Sequence, residues 1–549
     1  MGPARSSGSS RDDVYSPTER TMPVALDIEQ PGTSHPSPTH PTCRHRGVGR
    51  LGRLALELLA FGLGALPCLV LFFRGWPEMV ASAYLMTKGW RLYSGIALPH
   101  TPLLLLTLAG LGKTLGFTAG LLRGLAAFNW GTVNVLAVRA TWGEGSLRGW
   151  KRIVPPLLVA VLTPMLVVYV EGTCIWPDPF VAPLVLGAAL MLERFERSGR
   201  DGHLAGAGAL LGIAILVKQT SAWALLSAVL WLVIASRRRS VRRTALLLLS
   251  GSAPYLGFLV SWGIAFHTLD HLRWTLFVPV LSHFGIDVRQ LPTWQDFPDA
   301  AAPLLGILAA LLLSSPVPGR GRLRSPLPWV ALGTLGMAFP RWGLLHISGA
   351  VGIFAVLTGR ATRGAIEFFS HWRQHRVSRR SLMRFAAGVS AIVVQLAVLA
   401  VFVGLVAPKP RLHDPVTWYW NDAESHLRAA QVAERVPRGG RFFNYLGTWD
   451  NVYVLTGTAP PMSVWVNPSF WYVLNEYHVG RTMLQQLRSA PGTLVFYRKP
   501  ASDERRVAQS RFHLGLLSIT RPVATVDDLV SWREVVGTPR NQRSDGPAR

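Results

Sequence analysis

The chain has 549 residues, of which 49% are hydrophobic and 16% charged, and its mean hydropathy is +0.28. A water-soluble domain of this size carries about 25% charged residues, so the composition excludes one. The net charge of +26 does not point to nucleic acid. Most of the arginines fall in short connectors between apolar runs, where they orient helices in a membrane. The three cysteines, Cys43, Cys68 and Cys174, form neither a disulfide framework nor a zinc spacing.

Residues 1–50 are rich in Ser, Pro, Thr, Gly and Arg and lack apolar periodicity, which reads as a disordered tail. Arg44, Arg46, Arg50 and Arg53 precede the first apolar run, Leu54 to Phe73, and place this tail in the cytoplasm. The run is too long and too deep in the chain for a cleaved signal peptide. Basic connectors recur around Arg139–Arg152, Arg194–Arg200, Arg237–Arg243, Arg320–Arg324 and Arg360–Arg384. If each lies on the cytoplasmic side, an even number of crossings separates it from the next. Leu204–Ala235 has a basic connector on both sides and a polar break at Lys218-Gln219-Thr220-Ser221. Unbroken, it would be a helix of roughly 48 Å against a hydrocarbon core of ~30 Å, so two spans with Lys218 at the outer tip are expected. The same logic pairs Ile153–Val170 with Phe180–Leu192, Thr244–Phe266 with Ala300–Ser315, and Leu327–Pro340 with Leu344–Thr358. Thr101–Phe117 is short, begins beside a proline and contains Lys113, and is expected to lie in the interface or re-enter it.

The expectation is a polytopic α-helical membrane protein with about eleven spans over residues 51–407 and a long outer first loop at 74–118. The last span is Phe385–Val406, which puts the C-terminus outside. Residues 408–535 change to a mixed composition. Glu424–Arg435 and Asn475–Ala490 read as helices, and Arg441–Tyr445 and Thr493–Tyr497 as strands, giving a small extracytoplasmic α/β domain. Residues 536–549 read as a disordered tail.

Sorted by side, the outer face receives Glu78, Lys88, Arg91, His100, Glu171, Asp178, Lys218, Asp270, His271, Arg273, His283, Asp287, Arg289, Arg341 and His346. Ionisable groups beside spans are costly and mark function by default. Several pieces, in order and on one side, resemble the GT-C glycosyltransferases. These are polytopic enzymes that take sugars from polyprenyl-phosphate carriers, and they include the protein O-mannosyltransferases and the lipid A aminoarabinose transferase. The pieces are Glu78 with Ala83-Tyr84 and Gly89-Trp90-Arg91-Leu92-Tyr93, then Pro99-His100-Thr101-Pro102-Leu103, then Trp176-Pro177-Asp178-Pro179-Phe180. Gly212 to Lys218-Gln219-Thr220 and Arg341-Trp342 with His346 complete the set, which covers about residues 54–360. The chain departs from the family in having Trp76-Pro77-Glu78 where an Asp or an Asp-Glu pair is usual, and His100-Thr101 before the proline.

The resemblance implies an inverting transfer from a polyprenyl-phosphate sugar to an extracytoplasmic glycan, lipid or protein in the cell (inner) membrane. Its chemistry suits these residue types. Glu78 and Asp178 are the catalytic carboxylates, and a positioned carboxylate takes the proton from the attacking group. Arg91, Lys218 and Arg341 clamp the anionic leaving phosphate. His100 and His346 donate to phosphate or hold a divalent cation, whose use is left open. Each residue also has a plainer reading. Glu78 is equally a first-turn acid at a helix N-terminus, Asp178-Pro179 a helix cap, Lys218 a snorkelling side chain, and Glu171 a rival second carboxylate. A polytopic lipid or sugar transporter or flippase is the alternative, but it predicts inverted repeats and charges at mid-membrane, and the chain shows neither pattern.

Overall fold

Helices dominate because a chain in lipid must satisfy its own backbone hydrogen bonds. The computed structural model describes residues 50–142, 150–266, 301–313, 324–338, 343–372, 378–406, 416–446, 449–468, 478–500 and 505–536. The expected tails, Arg341, and the charges at Asp270, His271, Arg273, His283, Asp287 and Arg289 lie outside the described residues.

Helix α1 (Arg50–Val70) is followed by a two-residue strand β1 (Phe73–Arg74), then α2 (Pro77–Thr87), α3 (Leu103–Leu115) and α4 (Ala119–Thr141). Next come α5 (Trp150–Tyr169), α6 (Pro177–Ser198), α7 (Asp201–Val217), α8 (Ala222–Ile234) and α9 (Val241–Phe266). The bundle closes with α10 (Ala301–Leu313), α11 (Pro326–Leu335), α12 (Val351–Trp372) and α13 (Arg379–Val406). Among the described residues six helical stretches are long and apolar enough to cross a membrane: Leu51–Val70, Ala119–Thr141, Trp150–Tyr169, Val241–Phe266, Leu344–Ser370 and Arg379–Gly404. The protein is therefore read as a multi-pass membrane protein. At 13 residues α3 is about 20 Å long, too short to span a ~30 Å core. The long run expected to divide at Lys218 does so: α7 ends at Val217, Gln219–Ser221 form a 3₁₀ turn, and α8 begins at Ala222.

The basic connectors gather at one end of the bundle. Arg360 from α12 pairs with Glu193 from α6 and donates to the Ala140 carbonyl at 3.2 Å. Arg243 and Arg242 bind Asp201 at 2.9 and 3.0 Å, and Arg139 grips Glu57 with two bonds of 2.8 and 2.6 Å. Asp178 and Glu193 stand on the same helix, 15 residues and so about 22 Å apart. Its first turn therefore belongs to the opposite end.

After the bundle, β2 (Thr417–Trp418) pairs in parallel with β1, matching Phe73 to Thr417 and Arg74 to Trp418. Helix α14 (Ala423–Ala433) fills the stretch expected at Glu424–Arg435. Strands β3 (Phe443–Tyr445), β4 (Leu494–Arg498), β5 (Thr520–Thr525) and β6 (Val530–Val535) form a sheet in the order β3-β4-β6-β5. Its β3–β4 pair is parallel and the other two are antiparallel. Short helices α15 (Val452–Thr456), α16 (His478–Arg488), α17 (Arg505–Ala508) and α18 (Arg511–Ser518) accompany it. The sequence reading did not assign β5 and β6. Strand β5 lies at the sheet edge, contains Pro522 and is largely exposed, so it lacks the alternating pattern of a half-buried strand.

Buried Arg123, near the start of α4, fastens these parts together. Its guanidinium donates to the Cys68, Leu69 and Leu71 carbonyls at 2.8, 3.3 and 3.1 Å, to Thr417 Oγ1 at 2.8 Å, and to the Val416 carbonyl. The end of α1 thereby has its carbonyls satisfied by the side chain that also holds β2. Arg123→Met is expected to lower stability by on the order of 3 kcal/mol, because buried carbonyls lose a charged donor. Thermal unfolding of the detergent-solubilised protein checks this, and an unchanged midpoint would remove the tie from the account.

Candidate active site

The site is built from one short pattern used twice. Trp76-Pro77-Glu78 opens α2, and Trp176-Pro177-Asp178 opens α6. In both, the tryptophan takes the cap position without a side-chain cap bond, the proline enters at the first helical turn, and the acid follows it. Proline suits that position because no helical N–H is needed there, and an acid in the first turn meets the positive end of the helix dipole. Asp178 is thus a first-turn acid, not the cap its Pro179 suggested. The two tryptophan rings approach to 5.6 Å, and both acids are buried.

Asp178 is fully buried and lies against two further candidates. Lys218, at the break between α7 and α8, is also buried and pairs through Nζ with Asp178 Oδ1. The same ammonium is 3.0 Å from His346 Nδ1, which stands 3.3 Å from Asp178 Oδ2. An ammonium can only donate. In the neutral imidazole, the 3.0 Å contact therefore makes Nδ1 an acceptor and puts the ring proton on Nε2. His346 sits on the 3₁₀ segment Leu344–Ala350 that leads into α12. Residues 178, 218 and 346 thus form one cluster at helix ends. Burying one charge here is costly, and the pair offsets that cost only because each partner is present.

The loop before α3 closes one side. Gln219, the residue after Lys218, donates to the Pro99 carbonyl at 2.8 Å. Tyr93, held at φ +72° and buried, donates its hydroxyl to the His100 carbonyl at 2.8 Å. A left-handed backbone at a bulky residue is strained, and here that strain aims the ring at the loop. The His100 ring packs edge-on to Trp176 at 5.1 Å. Burial first, then the Lys218 charge, lowers its pKa to about 3. His100 is therefore neutral at physiological pH and can offer phosphate a hydrogen bond but no positive charge.

Arg91 and Glu171 make other contacts. Arg91 is exposed, its guanidinium 5.5 Å over the Phe266 ring. Glu171, at φ +54°, pairs with Arg74. Arg341 is outside the described residues. Among the described residues no group of three or more His, Cys, Asp or Glu side chains is placed to hold a metal ion.

The sequence reading missed what the C-terminal segment brings. Trp418 and Tyr419 stack at 4.0 Å and lie 6.4 and 5.6 Å from Trp76. Asp450, with no exposed surface, accepts from Asn444 Nδ2 at 2.5 Å and from Asn467 Nδ2 at 2.6 Å. Burial pushes its carboxyl well above the usual range; the Asn444 amide opposes that rise and the Glu78 charge adds to it. The available signal was Asn444, a polar residue inside the otherwise aromatic strand Phe442-Phe443-Asn444-Tyr445.

With this geometry in view, the comparisons with known proteins agree with the motif reading. Residues 152–262, which include Asp178 and Lys218, match the family described as dolichyl-phosphate-mannose-protein mannosyltransferase. The chain resembles the GT-C membrane glycosyltransferases and has their fold. In particular it is similar to ArnT from Cupriavidus metallidurans bound to undecaprenyl phosphate. That likeness has a TM-score of 0.53 at 12% identity, over 89% of this chain and 99% of that one. The apo state of the same ArnT gives a TM-score of 0.52 at 11% identity over the same shares. A search of curated proteins finds no match.

The depressed His100 pKa has a direct consequence. Its folded value lies below the unfolded value near 6.5, so its contribution to stability is present above pH 6.5 and is lost as pH falls toward 3. Wild type is expected to lose more thermal stability between pH 7 and pH 4 than His100→Gln. Equal slopes for the two proteins would show that His100 titrates freely.

Proposed function

We propose that this protein is a membrane glycosyltransferase that moves a hexosyl or pentosyl group from a polyprenyl-phosphate carrier to an extracytoplasmic acceptor, which is a glycan, lipid or protein. The observation that carries the reading is the Asp178–Lys218–His346 cluster at the helix ends, beside the first loop and opposite the arginine-rich end. The fold shared with ArnT, whose structure holds undecaprenyl phosphate, supports the donor class.

In this mechanism Glu78 takes the proton from the acceptor O–H or N–H as its lone pair attacks the anomeric carbon. The bond from that carbon to the phosphate oxygen breaks, and its electron pair remains on the phosphate. A single displacement of this kind inverts the centre. Lys218, oriented by Asp178, meets the developing charge together with Arg91, Arg341 and the N–H groups of His346 and His100. A charge already aligned in a dry site acts without reorganising water. Asp178 thus works through Lys218, and Glu78 remains as the base. Lys218 already balances Asp178, so a divalent cation is not needed for that purpose.

The topology that goes with this has about eleven spans in the cell (inner) membrane and a cytoplasmic N-terminus. Residues 408–535 form an α/β domain over the outer face. The arginine-rich end then faces the cytoplasm, as the positive-inside rule requires.

The test is transfer from a panel of radiolabelled polyprenyl-phosphate sugars to membrane extracts, at matched protein abundance. Glu78→Gln is expected to cut transfer by about 10²–10⁴-fold. Lys218→Met is also expected to be slow, with Asp178→Asn tracking it. If folded wild type transfers from no donor, the glycosyltransferase reading is abandoned and lipid translocation becomes the assay.

A further inference from the structure

The turn that carries Glu78 is not held by the membrane helices alone. Residues 73–75 lead directly into Trp76-Pro77-Glu78, and their backbone is paired with the C-terminal segment through β1 and β2. The Gly75 amide donates to the Trp418 carbonyl at 3.0 Å. Asn451 finishes the attachment from the far side. Its buried Nδ2 donates to the Gly75 carbonyl at 2.8 Å and to the Tyr419 carbonyl at 2.7 Å. One amide group therefore joins the residue after β1 to the residue after β2. Asp450, its neighbour in sequence, is close enough to Glu78 for the two charges to interact. It is fixed by Asn444 and Asn467, and Asn444 is itself placed by its backbone N–H bond to the Tyr453 hydroxyl at 2.7 Å.

We propose that Asp450 and Asn451 are positioning residues of the reaction. From the C-terminal segment they hold the Gly75–Glu78 turn and its carboxylate in place, so the site is complete only when that segment is docked. The proposal rests on Glu78 being the base. Asn451 sets the path of the backbone into α2, and with it the direction of the Glu78 side chain. Asp450, gripped by Asn444 and Asn467, fixes the turn on which Asn451 stands. A base displaced by about 1 Å costs on the order of 10²-fold in rate, so loss of the attachment acts on turnover more than on donor binding.

The experiment is a double-mutant cycle on the full-length protein in membranes, with kcat and donor KM measured for each variant. Asn451→Ala and Asp450→Ala are made alone and in the Glu78→Gln background. Each is expected to lower kcat by at least about tenfold in the wild-type background, with donor KM within about twofold, and by less than about twofold beside Glu78→Gln. Arg428→Ala is the control for general loosening. It removes the ion pair with Asp527 in the same segment at 2.8 Å, and is expected to lower the melting temperature while leaving kcat in place. Equal losses of kcat in both backgrounds overturn the proposal. So does an undiminished kcat in Asn451→Ala and Asp450→Ala, or a loss in Arg428→Ala as large as theirs. A Glu78→Gln enzyme running at the wild-type rate refutes the base assignment itself, and the positioning role falls with it. A slow Glu78→Gln beside a fully active Asn451→Ala overturns the positioning role alone.

Discussion

The buried ion pair between Asp178 and Lys218 is the constraint around which the end of the bundle opposite the arginines is arranged. A charged group cannot be left unpaired in a dry interior, so each of these residues dictates where its helix stops or starts. α7 must end at Val217 to bring Lys218 across, and α6 must begin at Pro177 to present Asp178 in its first turn. The 3₁₀ segment before α12 then has room to bring His346 against both. Three helix ends from distant parts of the sequence are located by one electrostatic requirement. The pairing leaves a lysine whose position is fixed before any anion arrives.

Around that pair, aromatic side chains do most of the shaping. Trp76 and Trp176 touch because each caps a helix that begins with the same three-residue pattern. Trp418 and Tyr419 extend the contact into the C-terminal segment. Rings suit this role at a membrane surface, since they bury large areas with few rotatable bonds and accept polar neighbours at their edges. Arg74 lies 5.9 Å from the Trp76 ring and 5.6 Å from the Trp418 ring, which adds cation–π attraction beside its pairing with Glu171.

Much of this was legible in the sequence, and the reason is physical. Charges next to apolar runs are so expensive that their positions carry information. That is why Asp178, Lys218 and His346 were all singled out, and why the polar break at Lys218 marked the division of α7 from α8. Arginine spacing predicted one basic end, and the described basic connectors do gather at one end. The C-terminal contribution was not legible, because Asp450 and Asn451 are single polar residues in a stretch rich in aromatics. The Asn451 partner Gly75 lies 376 residues away, and nothing local signals such a pairing. Arg91 stood out by charge and motif, yet the turn after α2 leaves it exposed. Sequence pattern does not encode which way a loop side chain faces.

The parallel pairing of Phe73–Arg74 with Thr417–Trp418 also bears on the order in which the molecule is made. A ribosome adding about 5–20 residues per second takes on the order of tens of seconds to pass from the first of these strands to the second. Throughout that interval the Glu78 turn lacks its strand partner, the Asn451 bonds and the Thr417 and Val416 acceptors of Arg123. Attachment by residues 416–451 thus acts as a timer, and the Glu78 turn is set only once that segment has been made.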